Sequence, residues 1–195
     1  QINSLLGKLK KLGGRLNKEQ ATKTIEIIKG VDVVHIHAMW MPSNVQVAIA
    51  CKKAKIPWVL STHGMLDNWC MNERRLKKQL YLSTYGKPML TGAKIFLTTA
   101  EEEKKQAQEW IPDNKDIVAI PLIVDLEPYK NIPTPSIANK IYGTSENKNV
   151  LFLSRIHPKK SIETLINAGI KLKRQGICPQ FLIAGTGEDT YVNKL

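Results

Sequence analysis

Four short clusters in this 195-residue chain carry side chains that could do chemistry. His35 and His37 alternate at the end of an apolar run, so on a strand their rings share one face. With His63, which follows a second apolar run, they could begin a metal site or stand as hydrogen-bonded neutral imidazoles. No HxxxH spacing supplies a further ligand nearby, so the hydrogen-bonded form is the simpler expectation. Arg155 and Lys160 flank a predicted helix start at Ser161. Arginine offers a planar fork and lysine a point charge, and together they could neutralise a diphosphate; a solvated basic loop would use the same residues. Gly185-Thr186-Gly187 follows another apolar run. Glycines there either let the backbone approach a nucleotide closely or simply make a tight connection.

The elements that must hold these clusters follow from the hydrophobic pattern. Short β-branched runs at Val31 to His37, Trp58 to Thr62, Lys94 to Thr98, Asp116 to Ile120, Val150 to Ser154 and Phe181 to Ala184 alternate with amphipathic stretches, which predicts an α/β fold with parallel sheets. Ser43 with Gln46, and Thr99 with Glu102, have capping-box spacing, and Ser161 is placed to cap a third helix. That helix carries Ile162, Leu165, Ile166, Gly169 and Leu172 on one face and Lys171, Lys173 and Arg174 in its last turn. Ligands of open parallel sheets bind at the carboxyl ends of strands, where all four clusters fall, and two units packed face to face would turn them into one cleft.

Between Pro121 and Asn149 periodicity lapses into Pro128, Pro133, Pro135 and Gly143. The expected organisation is a Rossmann-like domain over 1–125, a linker over 126–146 and the start of a second domain over 147–195. One βαβ unit cannot cover both faces of its sheet, so the second domain is expected to continue past Leu195 or to lean on a partner.

With 43% hydrophobic and 24% charged residues, a disulfide miniprotein, a fibre and global disorder are excluded. Cys51, Cys70 and Cys178 form no CxxC pair and are expected to be reduced, small, buried apolar residues, as in a cytosolic protein. No apolar run approaches the ~20 residues of a spanning helix, and no cationic leader is visible. Lys and Arg total 29 against 17 Asp and Glu, a net charge of +12 that calls for an anionic partner. Lys8, Lys10, Lys11, Arg15, Lys18, Lys23 and Lys29 face only Glu19 and Glu26 in residues 1–30. Arg74, Arg75, Lys77, Lys78 and Lys87 face only Glu73 in residues 71–90, where Trp69, Leu76, Leu80, Tyr81 and Tyr85 add an apolar and aromatic face. Such a helix either suits an anionic membrane, at ~1 kcal/mol per basic residue, or packs on the core with a solvated basic side. No nucleic-acid reader motif accompanies the charge, and no nucleic-acid partner is expected.

Taken together the motifs resemble the retaining glycosyltransferases of family 4, from about Asp32 to Asp189. Asp32-Val-Val-His-Ile-His37 resembles the family's acceptor-domain strand, and His63-Gly-Met-Leu-Asp67-Asn-Trp69 resembles the "HGMLDPW" signature of a polysaccharide-building branch. Thr98-Thr-Ala-Glu-Glu-Glu103 resembles a "T/S-x-x-E-E" helix start, and Ile120-Pro-Leu-Ile-Val-Asp125 stands where "IPNGVD" leads into the second domain. Leu151-Phe-Leu-Ser-Arg155-Ile-His-Pro-Lys-Lys160 resembles "FLGRLHPKKG", and Ile183-Ala-Gly185-Thr-Gly187 resembles "IAGDG". Ser154 and Ser161 stand where the family has glycines, and Leu122-Ile123 where it has Asn-Gly.

The resemblance implies a GT-B-like fold, with a Rossmann-type parallel-sheet domain followed by the truncated start of a second. It implies transfer of a sugar from a UDP- or GDP-linked donor to a polysaccharide or lipid-linked glycan, with retention of configuration. Arg155 and Lys160 would hold the diphosphate, Gly185 and Gly187 would border the nucleoside, and His63 would stand at the reaction centre with Gly64 admitting close approach. His37 and Asp67 would lie on the acceptor side. Two cations and a helix N-terminus can stabilise the leaving diphosphate without a resident cofactor or metal, and no general base is obvious, as front-side displacement would have it. The family's Gly-rich loop and its pair of glutamates seven residues apart are expected before Gln1 and after Leu195, which makes this segment the middle of an enzyme that alone lacks turnover. The expected location is the cytoplasm, peripheral at the inner membrane face. The alternative is a non-catalytic polyanion- or membrane-binding α/β module, including a catalytically dead homologue of such a transferase.

Overall fold

Each apolar run that ends in a polar cluster becomes a parallel strand. The structure, a computed structural model, describes residues 15–144 and 148–195. Lys8, Lys10 and Lys11 of the basic N-terminal stretch, and the expected start of the second domain at Asn147, lie outside them. The first sheet holds β1 (Val34–His37), β2 (Trp58–Ser61), β3 (Ile95–Thr98) and β4 (Asp116–Ala119), in that spatial order and all parallel. The second pairs β5 (Asn149–Leu153) with β6 (Gln180–Ala184), also parallel.

Parallel pairing requires crossovers, and helices supply them. In the first unit these are α1 (Lys18–Lys29) ahead of the sheet, α2 (Pro42–Ala54), α3 (Asn68–Asn72), α4 (Arg75–Ser83), α5 (Lys87–Gly92) and α6 (Glu101–Gln108). Register aligns Ile36, Leu60 and Phe96 across three strands, and all three are buried. The alternate row of His37, Ser61, Leu97 and Val118 lies on the opposite face, where Val118 is exposed. Trp58 packs so closely on α5 that a Cβ on Gly92 would sit 2.2 Å from its ring, and its indole N–H donates to the Met89 carbonyl at 3.3 Å. Of the cysteines only Cys51 is buried; Cys70 is half-buried and Cys178 exposed, and all three are free.

The predicted helix caps do not form. Pro42 occupies the first turn of α2 and moves its cap back to Met41, so Ser43 falls inside the helix and is buried. Gln46 instead accepts from the Leu16 N–H at 2.7 Å and donates to its carbonyl. Ala100 caps α6, and Glu102, exposed, accepts from Gln106. Ser161 is left-handed, with φ 49°, because a 3₁₀ turn over Pro158–Lys160 runs directly into the following helix, and its hydroxyl makes no capping bond. The capping box falls on Asn17 and Gln20 at the start of α1.

The chain divides between Ile123 and Val124, two residues before the expected boundary. The stretch expected to be a linker belongs to the second unit. It forms a 3₁₀ turn over Glu127–Tyr129 and α7 (Pro135–Tyr142), because Pro135 opens a helix rather than breaking one. Gln180 on β6 donates to the Gly143 carbonyl and ties the end of α7 to the sheet. Here α8 (Ile162–Arg174) packs against β6, with Ile162 buried and Gly169 against Phe181, and α9 (Asp189–Val192) follows. No described helix is long and apolar enough to cross a membrane.

Candidate active site

At the carboxyl ends of β1 and β2 the backbone departs from ordinary conformations three times. Ala38 has φ 75°, His63 φ 51° and Gly64 φ 69°. For the two non-glycine residues the left-handed region costs on the order of 1–3 kcal/mol, so surrounding contacts must hold them there. Asn44, in the first turn of α2, donates to the His37 carbonyl at 2.6 Å and the Ala38 carbonyl at 2.8 Å, fixing the end of β1.

The end of β2 is held by Glu103. One carboxylate oxygen accepts from the Thr62 hydroxyl and the Gly64 N–H, both at 2.6 Å. The other accepts from the Thr99 N–H and hydroxyl, both at 2.7 Å. Glu103 is 9% exposed. Burial pushes its pKa up, but the hydrogen bonds from Thr62, Thr99 and Gly64 outweigh burial and hold it below the usual carboxylate value. It is therefore an ionised buried carboxylate satisfied by donors. One turn further on, Gln106 accepts from the Asn68 N–H at 2.9 Å. Asp67 caps α3 by accepting from the Cys70 N–H at 2.6 Å, and Leu66 just before it is fully buried.

This frame presents three imidazoles. His35 Nε2 lies 2.7 Å from Ser61 Oγ, and His37 Nδ1 lies 2.9 Å from His63 Nε2, with the His37 and His63 rings stacked at 5.2 Å. Partial burial, then the neighbouring His35 and His63, keep the His37 pKa below that of ordinary histidine. His37 is thus neutral at pH 7, and its contact with His63 needs one ring nitrogen to donate and the other to accept. His63 is exposed and can offer its remaining ring nitrogen to a bound hydroxyl or phosphate. Among the described residues no three His, Cys, Asp or Glu side chains are grouped to hold a metal ion.

In the second unit, parallel pairing continues beyond the strands. The Ser154 N–H donates to the Ala184 carbonyl at 3.1 Å and the Ile156 N–H to the Thr186 carbonyl at 2.8 Å, with a further bridge between Ile156 and Gly187. A Cβ on Gly185 would stand 1.7 Å from the Ser154 oxygen, and one on Gly187 2.2 Å from the Ile156 oxygen. Only glycines let these two segments run side by side, and they flank the backbone of Arg155. Arg155 and Lys160 are exposed and form no salt bridge among the described residues. Their charge is available to an anion.

His37, His63 and Gly64 therefore come together within the first unit, and Asp67 is tied to them by its backbone N–H, which donates to the Gly64 carbonyl at 3.4 Å. Arg155, Gly185 and Gly187 come together within the second, with Lys160 at the end of the 3₁₀ turn that follows. Asn44 and Glu103 are functional candidates beyond those expected from the sequence. Glu103 shares an i, i+4, i+8 stripe with the buried Ala107 and Ile111, and a glutamate on an apolar stripe is the signal that marks it. On α4, Tyr81 turns inward, donating to the Met39 carbonyl at 3.2 Å, while Leu76 and Leu80 are 82% and 64% exposed beside Arg75 and Lys77.

Comparisons with known proteins bear on the fold. Residues 27–122 match the family described as "Glycosyl transferase 4-like domain". Three crystal structures of Anabaena Alr3699/HepE share the fold. The complex with UDP has a TM-score of 0.68 at 19% identity, that with UDP and glucose 0.67 at 18%, and that with UDP-glucose 0.64 at 20%. Each match covers 90% of this chain and 46% of HepE, so the chain spans about half the length of these relatives. No curated protein matches the sequence. The frame that holds His37, His63 and Gly64 lies wholly inside residues 27–122, the segment that is similar to the glycosyl transferase 4-like domain.

Proposed function

We propose that the protein to which this chain belongs transfers a sugar from a UDP- or GDP-linked donor to a polysaccharide or lipid-linked glycan, with retention of anomeric configuration. The observation that carries this reading is Arg155, an uncompensated cation on a loop clamped between Gly185 and Gly187 at the ends of β5 and β6. It is supported by the UDP and UDP-glucose in the HepE structures. Arg155 and Lys160 would hold the diphosphate and take up the charge that grows as it leaves, a task that needs no resident cofactor. Gly185 and Gly187 would border the nucleoside. His63, exposed and backed by neutral His37, would meet the transferred sugar, with Gly64 leaving the approach clear. His37 and Asp67 would stand on the acceptor side. Leu76 and Leu80 amid basic residues support peripheral contact with an anionic membrane at the cytoplasmic face, where a lipid-linked acceptor would be reached.

Titration of the full-length protein with UDP and with GDP tests the phosphate assignment. One nucleotide binds selectively at high salt and equally well with EDTA, and Arg155→Ala abolishes binding. Undiminished binding in Arg155→Ala sinks the assignment. Steep salt dependence with every polyanion and no nucleotide preference favours a non-catalytic binding module instead.

A further inference from the structure

We infer that Glu103 is the positioning residue of the reaction centre, setting the conformation of His63 through the residues on either side of it. The inference rests on the transferase reading above. Thr62 and Gly64 flank His63 in sequence, and both donate to the same Glu103 oxygen at 2.6 Å. The other oxygen is anchored by two donors from Thr99, just past β3. A single buried carboxylate thus ties the ends of β2 and β3 together and pins the left-handed His63–Gly64 pair, which in turn presents His63 Nε2 to His37 at 2.9 Å.

The chemistry requires a carboxylate rather than a polar group of the same shape. All four partners donate, and two of them, the Gly64 and Thr99 N–H groups, cannot reverse their polarity as a hydroxyl can. Glutamine in either orientation turns its NH2 toward one of those backbone N–H groups and leaves it without an acceptor. Aspartate falls one carbon short of both strand ends. Glu101 and Glu102, on the same turn, are exposed and cannot substitute. A residue that only stabilised the sheet would have no reason to bracket the one histidine that faces solvent from a strained backbone.

The test uses the full-length protein with histidine labelled by nitrogen-15, comparing wild type with Glu103→Gln, Thr62→Val and, as control, Glu101→Gln. Glu103→Gln should lower kcat for sugar transfer by about ten-fold or more and move the His63 and His37 ring-nitrogen resonances, because a small misplacement at a reacting centre is costly. It should leave UDP affinity within about two-fold, since the proposed diphosphate residues lie on the other unit. Thr62→Val removes one donor and keeps the carboxylate; it should lower kcat several-fold with a smaller movement of the same resonances. Glu101→Gln should match wild type throughout. A Glu103→Gln protein that melts earlier but keeps wild-type kcat and ring signals overturns the inference. Should that variant not fold, unchanged kcat in Thr62→Val overturns it. Wild type without transfer from any donor defeats the transferase reading, and the ring signals then decide alone whether Glu103 sets His63.

Discussion

Gly185→Ala isolates the geometry on which the proposed nucleotide site depends. The new Cβ would start 1.7 Å from the Ser154 oxygen and 2.9 Å from its carbonyl carbon, both backbone atoms that cannot swing aside. Since real Cβ contacts do not fall below 3.0 Å, the two segments must separate by about 1.3 Å. That opening breaks the Ser154-to-Ala184 hydrogen bond, now 3.1 Å, and strains the Ile156-to-Thr186 bond. Two backbone hydrogen bonds at about 1 kcal/mol each, with comparable strain, put the cost at about 2–4 kcal/mol. Arg155 lies between those two bonds and moves with them. Loss of its charge-assisted contact to a phosphate, about 1.5–3 kcal/mol, weakens UDP binding by about ten- to a hundred-fold. Calorimetric titration with UDP and a thermal melt, run on full-length wild type, Gly185→Ala and Gly176→Ala, read both effects. Gly176, at φ 77° with nothing within 4 Å of its Cβ position, should lose a little stability and no affinity. A Gly185→Ala protein that melts early yet binds UDP like wild type would refute the link between this clamp and the nucleotide.

Two further outcomes follow from the first unit. Replacing Leu76 and Leu80 together with glutamate should release the protein from vesicles containing phosphatidylserine in a co-sedimentation assay without lowering its melting temperature, because both side chains already face solvent. Equal retention on those vesicles would remove the membrane role of α4. The second outcome concerns pH. His37 has a depressed folded-state pKa, so the contribution of its neutral ring is complete above 6.5 and is lost as pH falls through that lower value. Glu103 is also depressed, so its contribution persists above 4.5 and is lost as pH falls through its folded value. In kcat and melting profiles from about pH 8 to pH 4, activity should decline first and stability second. A melting temperature that rises on acidification would contradict both assignments.

The parallel strands were legible because β-branched runs ending in histidine, threonine or glycine are short and sharply bounded. The helix starts were less so. Ser43 has the right spacing for a cap, but Pro42 moves the helix two residues earlier; Ser161 has the right chemistry, but the turn before it forces a left-handed backbone. Residues 126–146 read as a linker because Pro133 and Pro135 mask the short amphipathic pattern of α7. Within the site, His63, Gly64 and Arg155 were visible as residue types at strand ends. Glu103 was hidden among three consecutive glutamates, and only a helix that starts after Ala100 determines which of them turns inward. Gly185 and Gly187 were readable as places of close approach, but the neighbour that demands them within the fold is the protein's own backbone at Ser154 and Ile156.

The most direct test of the account is to incubate the full-length protein with UDP- and GDP-linked sugars and a membrane extract in the presence of EDTA, measuring released nucleoside diphosphate and labelled glycan. The account predicts release from one donor, coupled to glycan labelling and lost in both Arg155→Ala and His63→Ala. No release from any donor, with salt-sensitive binding to every polyanion offered, would contradict it.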